Sequence, residues 1–221
     1  MDYFNYKNGR LFAEKANVEK IAAAVGTPAY IYSKATFLEH FRRIRDAYKG
    51  IDTTICFSVK ACSNINILKF LAKAGSGFDI VSGGELFRVK EAGGDLSKTV
   101  FAGVGKTDKE ITEALNCGIG CFNIESAAEF ENFIAIAKKN KSAKRNPPKA
   151  ALRINPDIEY DTHKYIVTGI SETKFGVDIN EAEKIFARFG KSKIVRLRAI
   201  HLHLGSGGKT TAPYTEAVKK I

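Results

Sequence analysis

The chain has 221 residues, 44% of them hydrophobic, with 35 basic against 24 acidic side chains and a net charge of +11. That length suits one large domain or two small ones, and the apolar share excludes a disordered polymer. No apolar run approaches the ~20 residues of a membrane span, and the opening MDYFNYKNGR lacks the basic-then-apolar order of a secretory leader, so a cytoplasmic protein is expected.

The first thirty residues stand apart, reading as a small hairpin, a short helix and an extended segment held by Pro28. A regular alternation follows. TTICFSVK (53–60) predicts a strand and NINILKFLAKAG (64–75) a helix. GFDIVS (77–82), KTVFAG (98–103), GCFNIES (120–126), KAALRINP (149–156) and RLRAIHLHLGS (196–206) predict further strands. Helices are predicted over 83–93, 109–118, 127–140, 180–190 and from 213 onward. The strands are short continuous apolar runs, as expected where both faces are buried. The helices carry apolar residues three and four apart, for example Phe130, Phe133, Ile134 and Ala137. Ser82 with Glu85, Thr107 with Glu110, Ser126 with Glu129 and Asn180 with Glu183 match the capping box at a helix start. Gly75, Gly93, Gly118 and Gly190 fall where helices should stop.

Strand–helix units of this kind imply a parallel sheet, either closed as a barrel or open. Six units are counted, whereas a (β/α)8 barrel needs eight and typically takes ~250 residues. The expectation is an interrupted barrel, with a complete open six-stranded sheet as the alternative. No G-x-G-x-x-G follows any strand, which leaves a dinucleotide site unsupported.

Cys56, Cys62, Cys117 and Cys121 have no CxxC spacing and read as reduced thiols. The basic run from Lys138 to Lys149 has no interleaved aromatics. It reads as a solvated loop, with no nucleic-acid partner and no membrane partner expected. In a barrel the chemistry sits where strands end. The polar residues there are Lys60, Asp79, Ser82, Arg153, His201, His203 and Ser206. A lysine at a strand end is either a snorkelling ammonium or a Schiff-base nucleophile. Asp79, as a carboxylate in a strand, needs a donor or cation, and Arg153 is a candidate partner. His201 and His203 are a weak zinc pair, since no third ligand accompanies them, and no metal is expected. The Gly-Ser-Gly-Gly turn after them suits a phosphate or an ordinary loop.

Four stretches occur in order: FSVKACSN, GFDIVSGGEL, INPDIEYDTHKYIVTGISETKFGVDI and HLHLGSG. Together they resemble the fold-type III pyridoxal-phosphate decarboxylases, and the resemblance runs from Tyr3 to the end. It implies an α/β fold: the alanine-racemase-like, pyridoxal-phosphate-binding (β/α)8 TIM-type barrel, incomplete here at about six units, with the C-terminal β-domain absent. Residues 1–33 are then a segment that joins the β-domain, and 34–221 the partial barrel. Pyridoxal 5'-phosphate is the implied cofactor, held covalently by Lys60. His203 is implied to stack on its ring, Ser206 to meet its phosphate, Asp79 and Arg153 to line the site, and Ser58 to touch the ring. Lys174 matches a position near a dimer interface, and a homodimer acting on a small amino-acid substrate is implied.

The stretch from Ile154 to Ile179 resembles the branch acting on meso-diaminopimelate, which yields L-lysine and carbon dioxide. The alternatives are relatives acting on ornithine, arginine or carboxynorspermidine, or a non-catalytic barrel-derived binding protein. The family's enzymes are much longer, with a glycine-rich phosphate loop and an E-P-G-R segment not found here. The chain is therefore expected to be inactive alone. Ser58 stands where alanine is usual, Cys62 for asparagine and Gly207 for glutamine.

Overall fold

Asn8 and Gly9, both at positive φ (51° and 75°), form the two-residue turn that suits strand twist. They reverse the chain between β1 (Phe4–Lys7) and β2 (Arg10–Ala13). The short β3 (Ala16–Asn17) completes this sheet, and Asn17 caps α1 (Val18–Val25) by accepting from the Lys20 N–H. The computed structural model describes residues 2–158, 175–205 and 210–221. Next comes α2 (Lys34–Ala47), to which the sequence reading assigned no element. Only Phe41 of α2 is buried, so its helical stripe is narrow. Ser33 caps it, and Glu14 ties it to the hairpin by accepting from the Ser33 hydroxyl and the Ala35 N–H, both at 2.8 Å.

The main sheet has six strands: β4 (Cys56–Ser58), β5 (Gly77–Ile80), β6 (Thr99–Phe101), β7 (Cys121–Ile124), β8 (Lys149–Arg153) and β9 (Arg196–His201). They lie in chain order and every neighbour is parallel. A doubly wound sheet reverses its strand order at a switch point. None occurs among these strands, so the winding is that of a barrel. The connecting helices are α3 (Ile65–Lys73), α4 (Gly83–Glu91), α5 (Asp108–Cys117), α6 (Ala127–Lys139) and α8 (Ile179–Phe189), with α9 (Ala212–Lys220) after β9. The basic run read as a loop contains a short helix, α7 (Lys141–Arg145), which Asn140 caps through the Ala143 N–H. Its Ala143 is buried against the core, which is why the segment is not free in solvent.

One hydrophobic core joins the sheet to the helices from α3 to α8, while Ala217 of α9 sits in a small separate cluster with Ile158 and Leu204. Phe78, Ile80, Phe101, Phe122, Ile124, Leu152 and Leu197 meet Leu68, Leu86, Ile111, Phe130 and Phe133. The Phe122 and Phe133 rings lie 4.6 Å apart. Side chains alternate across a strand, so Asp79, flanked by the buried Phe78 and Ile80, faces away from the helices. That opposite face carries the polar residues.

The cap signatures hold with amendments. Thr107 and Glu110 form the reciprocal capping box at α5. Ser82 and Ser126 cap α4 and α6, but Glu85 and Glu129 reach one residue further back, to the Val81 and Glu125 N–H groups. At α8 the cap is Asp178, accepting from Glu181, and not Asn180 with Glu183. Gly190 ends α8 in ordinary right-handed geometry, unlike Gly118, which ends α5 at φ 66°. No helix among the described residues is long and apolar enough to cross a membrane.

Candidate active site

The strand predicted over 53–60 is shorter than expected. After Ser58 the chain turns through a single 3-10 turn, Val59–Ala61. The turn drives Val59 fully into the core and leaves Lys60 exposed at the end of β4. Among the described residues Lys60 makes no hydrogen bond or ion pair. Lys106 is its opposite. Its side chain is 1% exposed, and its ammonium donates to the Gly103 and Asn123 carbonyls at 2.7 and 2.8 Å and to Glu129 at 2.7 Å. Three donors meet three acceptors, so Lys106 is held as a structural cation.

Asp79 does not pair with Arg153, its candidate partner. It lies beside Ser58 in the β4–β5 register and accepts from the Ser58 hydroxyl at 2.9 Å. Ser82 is occupied as the α4 cap. Glu85 belongs to this corner too. Burial pushes its carboxyl up from the usual range, and the Asp79 charge adds to that, while the Val81 N–H and the Lys60 charge pull it down.

Arg153 pairs instead with Glu125, which sequence reasoning passed over because it precedes the Ser126 cap. Glu125 is 3% exposed, and its Oε2 accepts from Arg153 at 2.7 Å. Its Oε1 accepts from the Gly103 N–H at 2.8 Å. The usable signal was its place, the first polar side chain past the apolar end of β7. On its other side the Arg153 guanidinium lies 4.8 Å from the Phe175 ring centroid. Gly176 makes this approach possible. Its φ is +78°, and a Cβ there would meet the Arg153 carbonyl at 3.0 Å. Val177 then bonds back to that same carbonyl.

His201 sits opposite Arg153 in the β8–β9 register. Among the described residues its Nδ1 is buried without a hydrogen-bond partner. Burial lowers its pKa to about 4, helped by the Arg153 charge. The strand stops at His201, so strand alternation does not extend to His203. The His203 imidazole is also pushed down, by burial and then by Arg153 and Lys60, with Asp79 and Glu125 opposing. Lys60, Asp79, Arg153 and Glu125 therefore all lie within electrostatic reach of His203. Among the described residues no cluster of three or more His, Cys, Asp or Glu is placed to hold a metal ion. Ser206, Lys174 and most of the Ile154–Ile179 stretch lie outside the described residues.

Residues 34–221 match the sequence model of the pyridoxal-dependent decarboxylases, pyridoxal binding domain. The chain belongs to this family. Among similar pyridoxal-dependent decarboxylases is the diaminopimelate decarboxylase of Haemophilus influenzae. It is 42% identical over 221 residues, which are 100% of this chain and 52% of that protein. The solved diaminopimelate decarboxylase of Helicobacter pylori, complexed with L-lysine, superposes with a TM-score of 0.86 at 37% identity, covering 92% of this chain and 51% of that one. The one from M. jannaschii, also with L-lysine, gives 0.87 at 31% identity, covering 99% and 51%. The chain thus spans about half the length of the relatives it matches. Pyridoxal phosphate is the cofactor of this family, and the donor set fits it. An aldehyde cofactor needs an amine not already held by acceptors, and of the two lysines at these strand ends Lys60 meets that condition and Lys106 does not.

Proposed function

We propose that this chain is the cofactor-binding part of a diaminopimelate decarboxylase, which removes carbon dioxide from meso-2,6-diaminopimelate and leaves L-lysine. The observation that carries the reading is the Lys60 amine at the end of β4, unengaged among the described residues and acting by its charge on Glu85 and His203, while Lys106 is locked. When bound, pyridoxal phosphate supplies an electron sink for the bond that breaks.

Lys60 is the residue that holds the cofactor. Its Nζ would also be placed to carry a proton to or from the reacting carbon. His203, whose pKa burial pushes down, would stack its flat ring on the cofactor. A neutral imidazole there adds no further cation beside Lys60 and Arg153. Ser58 works through Asp79, fixing its carboxylate on the interior face. Arg153 would line the site, and Ser206, which lies outside the described residues, would meet the phosphate. On the same reading residues 1–33 join a β-domain, residues 34–221 form the barrel part, and the intact enzyme is a cytoplasmic homodimer. Supporting the division, among the described residues the β1–β3 sheet shares no strand pairing with the six-stranded sheet.

The test is covalent trapping. The chain is mixed with pyridoxal phosphate, reduced with borohydride and digested, and the labelled lysine is mapped by mass spectrometry. Label is expected on Lys60, absent from Lys106, and lost in Lys60→Ala. Label spread over surface lysines and unchanged in Lys60→Ala refutes a formed cofactor site.

A further inference from the structure

Glu125 has no role in the chemistry above, yet it is among the most buried carboxylates of the described residues, at 3% exposure. Its two oxygens do different work. Oε1 takes the Gly103 N–H just past β6, and Oε2 takes Arg153 at the end of β8. One side chain following β7 therefore ties three consecutive strand ends together. A buried carboxylate is costly unless paired and hydrogen-bonded, and this one is both. Its partner is the guanidinium at the centre of the polar face. Arg153 neighbours His201 in register, rests against Phe175, and exerts its charge on both histidines.

We propose that Glu125 is a positioning residue, holding the Arg153 guanidinium in place and supplying the negative charge that offsets it beside His201 and His203. The inference rests on the reading of this face as the cofactor site. Among the described residues the charged groups acting on His203 include Arg153 from β8, Lys60 from the turn after β4, Asp79 from β5 and Glu125. Those facing His201 are Arg153, Glu125, His203 and Lys106. With Glu125 neutralised, Arg153, Lys60 and Lys106 act on the two rings with one less carboxylate against them. Both imidazoles then protonate only at lower pH, and the guanidinium loses the anchor that fixes it. A displacement of about 1 Å at such a site costs roughly a hundredfold in function.

The test compares wild type with Glu125→Gln, Glu125→Asp and the double variant Glu125→Gln/Arg153→Met. The chain has four histidines, and their ring resonances are titrated by NMR without cofactor, with His203→Asn to assign the relevant one. Pyridoxal phosphate affinity is then measured by equilibrium titration. In Glu125→Gln the His203 midpoint is expected to move below that of wild type, and the dissociation constant to rise roughly 10- to 100-fold. Glu125→Asp keeps the charge and should return the midpoint towards wild type. In the double variant the Arg153 charge is gone as well, so the midpoint should rise above wild type.

If Glu125→Gln does not fold, the double variant decides, since removing both partners of a buried pair is tolerated better than removing one. An unchanged midpoint in the folded variants, with only a lower melting temperature, would overturn the proposal and leave Glu125 a structural tie. Failure of the cofactor reading shows separately, as absent Lys60 labelling in wild type, because the histidine titrations need no cofactor.

Discussion

The two lysines near the strand ends should behave in opposite ways when replaced. Lys106→Met removes an ammonium whose three acceptors lie at 2.7, 2.7 and 2.8 Å, in a pair where the lysine is 1% exposed and Glu129 12%. Methionine nearly conserves volume, so cavity formation adds little. What remains is a buried carboxylate and two carbonyls without their donor. Breaking such a pair from one side costs about 3–5 kcal/mol. For a domain of this size each kcal/mol is worth roughly 2–4 °C, so the melting midpoint should fall by about 10 °C. Lys60→Ala takes away an exposed side chain that holds nothing among the described residues, and its midpoint should stay within about 2 °C of wild type. The assay is a thermal melt followed by circular dichroism, run alongside the borohydride trapping. Lys106→Met should melt early yet direct label to Lys60 below its midpoint, while Lys60→Ala should melt normally and lose it. A Lys60→Ala midpoint depressed as far as that of Lys106→Met would refute the assignment, because Lys60 would then be the structural cation.

Two further outcomes follow from the same geometry. Unfolded histidine protonates near pH ~6.5, whereas folded His201 resists down to about 4. The unfolded state therefore binds more protons in that window, and stability falls as pH drops from about 6.5 towards 4, by on the order of 3 kcal/mol from this group. Urea unfolding across this range should show a shallower fall in His201→Phe than in wild type, and equal slopes would refute the burial argument. Phe133 is fully buried against Phe122, so Phe133→Ala should cost about 3–5 kcal/mol, read as a lower urea midpoint, and a change under about 1 kcal/mol would mean the site collapses around the gap.

Much of the strand–helix alternation was legible because it is local. Six apolar runs, the cap at Thr107 with Glu110, and the glycine after Cys117 each state their structure within a few residues. Lys60 was legible for the same reason, as a cation that ends an apolar run. Local signals misled where two fitted one helix start, as at α8, where Asp178 won over Asn180. They were too weak for α2, whose single buried residue leaves little pattern to read. The basic run before β8 was judged by composition, which could not show that Ala143 reaches the core.

The sequence by itself determined most of the element types, their order and the place of Lys60 at the end of an apolar run. The tertiary structure decided which polar groups meet. Ser58 with Asp79, Lys106 with Glu129 and Glu125 with Arg153 join residues 21, 23 and 28 apart. Each pair forms because parallel strands bring their ends to one edge of the sheet. Sequence order gives no measure of that distance: Asp79 and Arg153 were plausible partners on charge alone, yet the register gives Asp79 to Ser58 and leaves Arg153 for the carboxylate at the end of the neighbouring strand.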